Sequence, residues 1–324
     1  MKKIKNSYLI AAAVFILGAG IGWLMARPSA IKCGADYQWL NPALGCSSKS
    51  VISKAAYLTF KNKLAGQIDT WKKESKVKEA AVFFRDLENG PIFGINDREK
   101  FIPASLLKMP LMLTYFKLAE DDPFLLAQKL IYNSASPAPD RPQTISSEQI
   151  LELDRPYTID ELIFRMAAYS DNRAYNLLVE YLKTLSRDNL ILETYNELGM
   201  VNPGDDLKLA TLSTKTYSSI FRLLYNASYL SKELSEKALE YLTRADYEGG
   251  LRKGVPENIP IAHKFGERKL ENITQLHDCG IVYYPKNPYL LCVFTRGDDF
   301  NGLSNTIAAV AKMVYEEVDS RHEK

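Results

Sequence analysis

"FIPASLLKMP", residues 101–110, sets a serine and a lysine three positions apart where an apolar helix begins. Pro103 precedes the pair, and "LLKMPLMLTYFKL" carries the apolar pattern on from Leu106. Residues three apart share a helix face, so Lys108 can reach the Ser105 hydroxyl. Free backbone N–H groups and the positive dipole end at a helix start also suit a developing oxyanion. A plainer reading makes Ser105 an N-cap and Lys108 a surface residue. Spacing alone does not choose between them, because Ser29/Lys32 and Ser75/Lys78 repeat it in a linker and in a charged run.

The surroundings predict a fold. Tyr57, Phe60, Leu64, Ile68 and Trp71 form one helical stripe over residues 50–75. "EAAVFFRDLENGPIFGIND" reads as two strands joined at Asn89-Gly90. From 103 to about 245 the pattern is almost all helical, broken by the loop "SASPAPDRPQTISSEQ". In "YTIDELIFRMAAYS", Thr158 and Glu161 are spaced as a capping box, which predicts a helix over 159–168. Strands return at "IPIAHKFGE", "LHDCGIVYY" and "PYLLCVFTR", the last two as a hairpin around Pro285–Pro288. A closing helix carries Ile307, Val310, Ala311, Val314 and Val318. This order predicts an α/β protein of the α+β kind: a five-stranded antiparallel sheet flanked by N- and C-terminal helices, with an inserted all-helical lobe. The "IPIAHKFGE" strand is expected centrally in the sheet. A cleft between sheet and lobe is the natural place for a site.

Two further stretches lend the first its meaning. "YSDNRAYNLL" holds Ser170-Asp171-Asn172 at a break between predicted helices, and "AHKFGE" holds Lys264-Phe265-Gly266 on a predicted strand. The order Ser-x-x-Lys, Ser-Asp-Asn, Lys-x-Gly, with gaps of 65 and 94 residues, resembles the penicillin-recognising serine enzymes and most of all the class A β-lactamase family. "YTIDELIFRMAAYSDNRAYNLL" and "HDCGIVYYPKNPYLLCVFT" are similar to that family too, so the resemblance covers roughly residues 50–318.

The resemblance implies roles. Ser105 would attack an amide carbonyl, and Lys108, if neutral, would take its proton. Burial and the charge of Lys264 would both lower the Lys108 pKa. Ser170 would relay a proton to the departing nitrogen, helped by Lys264. Asn172 would hold the substrate's side-chain amide, Gly266 and Glu267 of the third motif would also bind substrate, and the backbone N–H groups of Ser105 and Glu267 would form the oxyanion hole. Asp171 reads equally well as the cap of the next helix. Phe265 stands where the family usually has threonine or serine, at a position read as peripheral to the proton chemistry. No role falls to His263 or His277. No cofactor or metal is implied, and the substrate is a β-lactam or a D-Ala-D-Ala peptide.

The flanks speak to location. "MKKIKNSYLIAAAVFILGAGIGWLMA" has three lysines and then nineteen uncharged residues, Tyr8 to Ala26, bounded by Arg27. That length can cross a bilayer, and the basic N-terminal side predicts a single-pass cell-membrane anchor with the body outside. A cleaved signal peptide is the alternative. The divisions read as 1–27 anchor, 28–49 linker, 50–318 hydrolase domain and 319–324 tail. Without 1–27 the chain has 37 basic and 39 acidic residues (four of the 41 basic residues fall in that segment), a balance of −2 that gives no electrostatic reason to bind nucleic acid. A monomer is expected. Cys33 with Cys46 and Cys279 with Cys292 read as local disulfides in an oxidising compartment, with buried free thiols as the alternative. The absence of any C-x-x-C pair argues against zinc.

One departure bears on turnover. Class A enzymes use a glutamate on a long loop to activate the water that removes the acyl group. The short segment 199–211 offers Asp205 and Asp206 but no glutamate. Three readings follow: a β-lactamase, a D-Ala-D-Ala peptidase or covalent β-lactam sensor with slow deacylation, and a non-catalytic module that binds cell-wall peptide.

Overall fold

A computed structural model describes residues 37–44, 57–88, 90, 92–136, 144–145, 149, 151–200 and 211–322, with Ile16 and Gly18. The chain divides into two units, Met1–Tyr37 with Pro42–Ser48, and Gln38–Asn41 with Lys49–Lys324. In the first, Ile16 and Gly18 are helical and residues 42–44 form a turn. All of the predicted anchor except Ile16 and Gly18, the Cys33–Cys46 pair, Asp205 and Asp206 lie outside the described residues. Among those described, no helix is long and apolar enough to cross a membrane.

In the second unit, helix α1 (Leu58–Lys73) leads into strands β1 (Glu79–Asp86) and β2 (Ile92–Ile95). A turn of 3₁₀ helix (Ala104–Leu107) runs directly into α2 (Lys108–Asp121). Then come β3 (Lys129–Tyr132), β4 (Arg155–Thr158), α3 (Ile159–Ala168), α4 (Asn172–Thr184), α5 (Asn189–Glu197), α6 (Thr214–Tyr225) and α7 (Lys232–Thr243). The short α8 (Gly250–Gly254) precedes β5 (Ile261–Leu270), β6 (Ile273–Val282), β7 (Tyr289–Gly297) and α9 (Phe300–His322). The five-stranded sheet has the order β2-β1-β7-β6-β5, with every pairing antiparallel.

The predicted stripes build one side of this sheet. Phe60, Leu64, Ile68 and Trp71 of α1 and Ile307, Val310, Val314 and Val318 of α9 are buried in one cluster with Val82, Phe84, Leu291 and Val293. Each fully buried side chain of this size contributes about 1.5–3 kcal/mol of transfer free energy. The N-cap half of the predicted capping box forms: the Thr158 side chain accepts the Glu161 N–H at 3.1 Å and α3 covers 159–168, while the Glu161 carboxylate accepts from Arg165. Such a cap is worth about 1 kcal/mol.

Several expectations change. β5 is an edge strand, not a central one. Its burial comes from helices and from the 3₁₀ turn packed on it, so an unbroken buried run did not mean two strand neighbours. The helical lobe also contains a two-stranded ladder, β3 with β4, each only four residues long and too short to show alternation. Residues 319–322, read as tail, continue α9, where Asp319 accepts the Tyr284 hydroxyl at 2.9 Å. Part of the supposed linker is docked. The Glu236 carboxylate accepts the N–H groups of Gln38, Trp39 and Leu40, at 2.7 Å for the first.

Cys279 and Cys292 face one another across β6 and β7 and are joined as a disulfide. Bridging residues 13 apart removes loop entropy from the unfolded chain. Replacing both with alanine should therefore cost about 3 kcal/mol, read by denaturant unfolding. A non-reducing peptide map should return the two cysteine peptides linked.

Candidate active site

The Ser105 turn is assembled by contacts from several elements. Ala104 lies at φ 50°, in the left-handed region, and Ser105 is the next residue, half-buried on the 3₁₀ turn. The change from 3₁₀ to α winding leaves carbonyl groups in need of donors. Tyr195 of α5 donates to the Leu107 carbonyl at 2.8 Å, and Tyr217 of α6 to that of Leu106 at 3.2 Å. Pro103, not Ser105, precedes the first helical residue, which rules out the N-cap reading of the serine.

Lys108 is not a surface residue either, at 3% exposure. Its ammonium donates to the Ser170 carbonyl and lies 3.1 Å from Ser170 Oγ, rather than bonding to Ser105 as the spacing implied. Ser170 is fully buried and sits at φ 54°, a strained conformation that turns its carbonyl toward the lysine. The Asp171 carboxylate accepts the Arg173 and Ala174 N–H groups at 2.7 and 3.3 Å, so the capping reading of that residue holds. Asn172 opens α4 directly after this turn and is half-buried.

β5 brings the third motif against the first. A Cβ on Gly266 would lie 2.8 Å from the Pro103 carbonyl oxygen and 3.1 Å from the Leu106 nitrogen, so only glycine permits this approach. Lys264, two residues earlier and 1% exposed, shares the Gly266 face of the strand. Its Nζ has no hydrogen-bond partner among the described residues. Burial pulls the Lys264 pKa down to about 7, opposed by the carboxylates of Asp278 and Asp246. Lys108 is lowered well below the ordinary lysine value, first by burial and then by the Lys264 charge, against Asp171 and Glu267. Glu267 is half-buried, its carboxylate accepts the Thr144 N–H, and burial raises its pKa.

Phe265 is not peripheral. The Lys264 ammonium lies over its ring at 4.4 Å, and Tyr247 packs against it at 4.5 Å. His263 belongs to the same cluster. Its Nδ1 is 2.9 Å from one Asp278 oxygen, while the other accepts the Leu251 N–H at 2.9 Å. The sequence carried no signal for Asp278, Asp246 or Tyr247, because none lies in the three motifs; the two aspartates act on Lys264, and Tyr247 packs on Phe265, only through the fold.

The arrangement thus pairs a half-buried serine with two buried lysines and a buried serine, on a turn under an edge strand. A family model described as the beta-lactamase enzyme family matches residues 63–318. A curated beta-lactamase of Bacteroides uniformis is 26% identical over 251 residues, covering 71% of this chain and 83% of that protein. Among solved structures, a variant of PBP-A captured as an acyl-enzyme with penicillin G gives a TM-score of 0.65 at 22% identity, over 80% of this chain and 97% of that one. A beta-lactamase from Chitinophaga pinensis gives 0.68 at 17% identity, over 79% and 100% of the two chains. At such identities the structural likeness speaks for the fold. The family match spans most of the sequence, and the chain belongs to the beta-lactamase enzyme family.

Proposed function

We propose that the protein is an exported, membrane-anchored serine hydrolase that opens β-lactam amide bonds through an acyl-enzyme on Ser105. The observation that carries this reading is the state of Lys108: buried, lowered in pKa, and 3.1 Å from Ser170 Oγ. A lysine is a useful base only when neutral, and both burial and the neighbouring Lys264 charge favour that form. In the proposed reaction Ser105 Oγ bonds to the amide carbonyl carbon and its proton passes to Lys108. The Ser105 and Glu267 N–H groups would hold the oxyanion. A proton then reaches the amide nitrogen through Ser170 Oγ as the C–N bond breaks, leaving an ester on Ser105. Lys264, in its charged form, would help Ser170 pass that proton, Asn172 would bind the substrate's side-chain amide, and Gly266 keeps β5 close. The run from Tyr8 to Ala26 supports the anchor, and the Cys279–Cys292 bond fits an extracytoplasmic body.

A second reading keeps this acylation and makes the protein a D-Ala-D-Ala peptidase or covalent β-lactam sensor. It is favoured by the lack of a glutamate in 199–211. Glu197, just upstream, is held by the Tyr229 hydroxyl at 2.6 Å. General-base help is typically worth about 10²–10⁴ in rate, so without it the second step becomes limiting.

Intact-mass measurement with a penicillin should show a single adduct on the peptide containing Ser105, absent in Ser105→Ala. An adduct on another serine overturns the assignment, and no adduct at all favours a non-catalytic binding module. With a chromogenic cephalosporin we expect a stoichiometric burst and then slow turnover. Replacing Asp205 and Asp206 together with asparagine should leave the burst intact. Rapid turnover abolished by that double change would instead assign the deacylating base to one of the aspartates.

The two lysines titrate as a pair and predict a bell-shaped acylation profile. Lys108 works deprotonated, so the rate rises with pH on the acid side. Lys264 works protonated, so the rate declines as pH passes about 7. Lys264→Met should lower the rate, remove the alkaline limb and move the acid limb to higher pH, since Lys108 loses a repelling charge. The same variant should be the more stable protein at pH 6. Below pH 7 the native Lys264 is charged in both folded and unfolded chains, and only the folded chain bears the burial penalty. That penalty fades as pH rises from about 7 toward the ordinary lysine value, so the stability gap should narrow.

A further inference from the structure

The strained turn before Ser105 needs to be held in place. Left-handed backbone at Ala104 (φ 50°) is unfavourable for a residue with a Cβ and persists only where its surroundings fix it. Upstream, Phe101 exchanges both backbone hydrogen bonds with Leu212, at 2.9 and 2.8 Å. At Ile102 this bridge gives way to side chains. Gln275 Oε1 accepts the Ile102 N–H at 3.0 Å, and His277 Nε2 lies 3.0 Å from the Ile102 carbonyl oxygen. A carbonyl can only accept, so Nε2 carries the hydrogen. Burial holds the His277 pKa down at about 3, which keeps the ring neutral and leaves the lone pair on Nδ1. That atom is buried without a partner among the described residues, and the ring packs against Phe294 at 4.5 Å and Phe101 at 5.4 Å.

Gln275 and His277 are two apart on β6 and so share a face, at 4% and 0% exposure. His277 is paired in register with Gly266, whose backbone lies against Pro103. Ile102 is therefore gripped at both polar groups by β6, and Pro103 is backed by β5. We infer that Gln275 and His277 are positioning residues for the nucleophile, forming a side-chain clamp on Ile102 that fixes the strained Ala104 turn and hence the line of attack of Ser105. The clamp's effect on rate rests on the reading of Ser105 as the acylated residue.

The test uses the full chain in detergent and compares penicillin acylation rates of His277→Leu and Gln275→Met, each alone and combined with Ala104→Gly. Misplacing a nucleophile by an ångström costs up to about a hundredfold, so each clamp variant should slow acylation by about tenfold or more. Glycine takes positive φ without steric cost, so Ala104→Gly should recover most of that loss, which a merely structural defect would not allow. His277→Gln, which keeps an N–H donor, should retain most of the rate. In Gln275→Met the Ile102 amide should lose protection in hydrogen exchange. Acylation within twofold of the unaltered chain in both variants, or a loss that Ala104→Gly leaves untouched, overturns the clamp. If His277→Leu does not fold, Gln275→Met decides alone. If the unaltered chain forms no adduct on Ser105, the nucleophile assignment has failed. The clamp is then judged by exchange, and an Ile102 amide equally protected in Gln275→Met overturns it.

Discussion

The site depends on one close approach, that of Gly266 to the Pro103–Leu106 turn. With 2.8 Å between a would-be Cβ and the Pro103 oxygen, any side chain would push β5 off the turn. The strand would take Lys264 with it, since residues two apart on a strand move as one face. The coupling between the two lysines follows from this contact. It puts the Lys264 charge close enough to Lys108 to lower that lysine further, and it closes both away from water.

Two adjacent buried lysines are a poor choice for stability, because each charge disfavours the other and burial disfavours both. The protein offsets this only in part. Asp278 and Asp246 lie near Lys264, yet neither forms a hydrogen bond with its Nζ, and Asp278 is already committed to His263 and Leu251. The Phe265 ring supplies a softer attraction, of the order of 0.5–2 kcal/mol for a face-on cation. A fully paired Lys264 would make a more stable fold, but its offset charge would do less to lower the Lys108 pKa. Strain at Ala104 and Ser170 belongs to the same pattern, in which local cost is concentrated where chemistry is proposed.

What could be read from residues alone was local. The Thr158 cap, the stripe from Phe60 to Trp71 and the Asp171 cap are decided within four to a dozen residues, and each forms as read. The three motifs stood out because their residue types recur in a fixed order. Hidden features were those decided by distant partners. Whether β5 lay at an edge depended on what else covered it. Phe265 looked peripheral until the fold set it under Lys264 and beside Tyr247. Gln275 and His277 act on a residue more than 170 positions earlier, and no spacing rule reaches that far.

The docking of Gln38–Asn41 has a mechanical consequence. The Glu236 carboxylate gathers three successive backbone N–H groups, Trp39 stacks edge-on against Tyr283 at 5.0 Å, and the Asn41 N–H is bonded to the Tyr225 carbonyl at 2.8 Å. Tension applied to the chain ahead of Gln38 would load these bonds first. Its path into the body runs through α7, the end of α6 and the turn after β6. Glu236, Tyr225 and Tyr283, which take the load, lie in neither β5 nor the Ser105 turn, so the grip works as a strain relief, like the clamp on a cable before its connector.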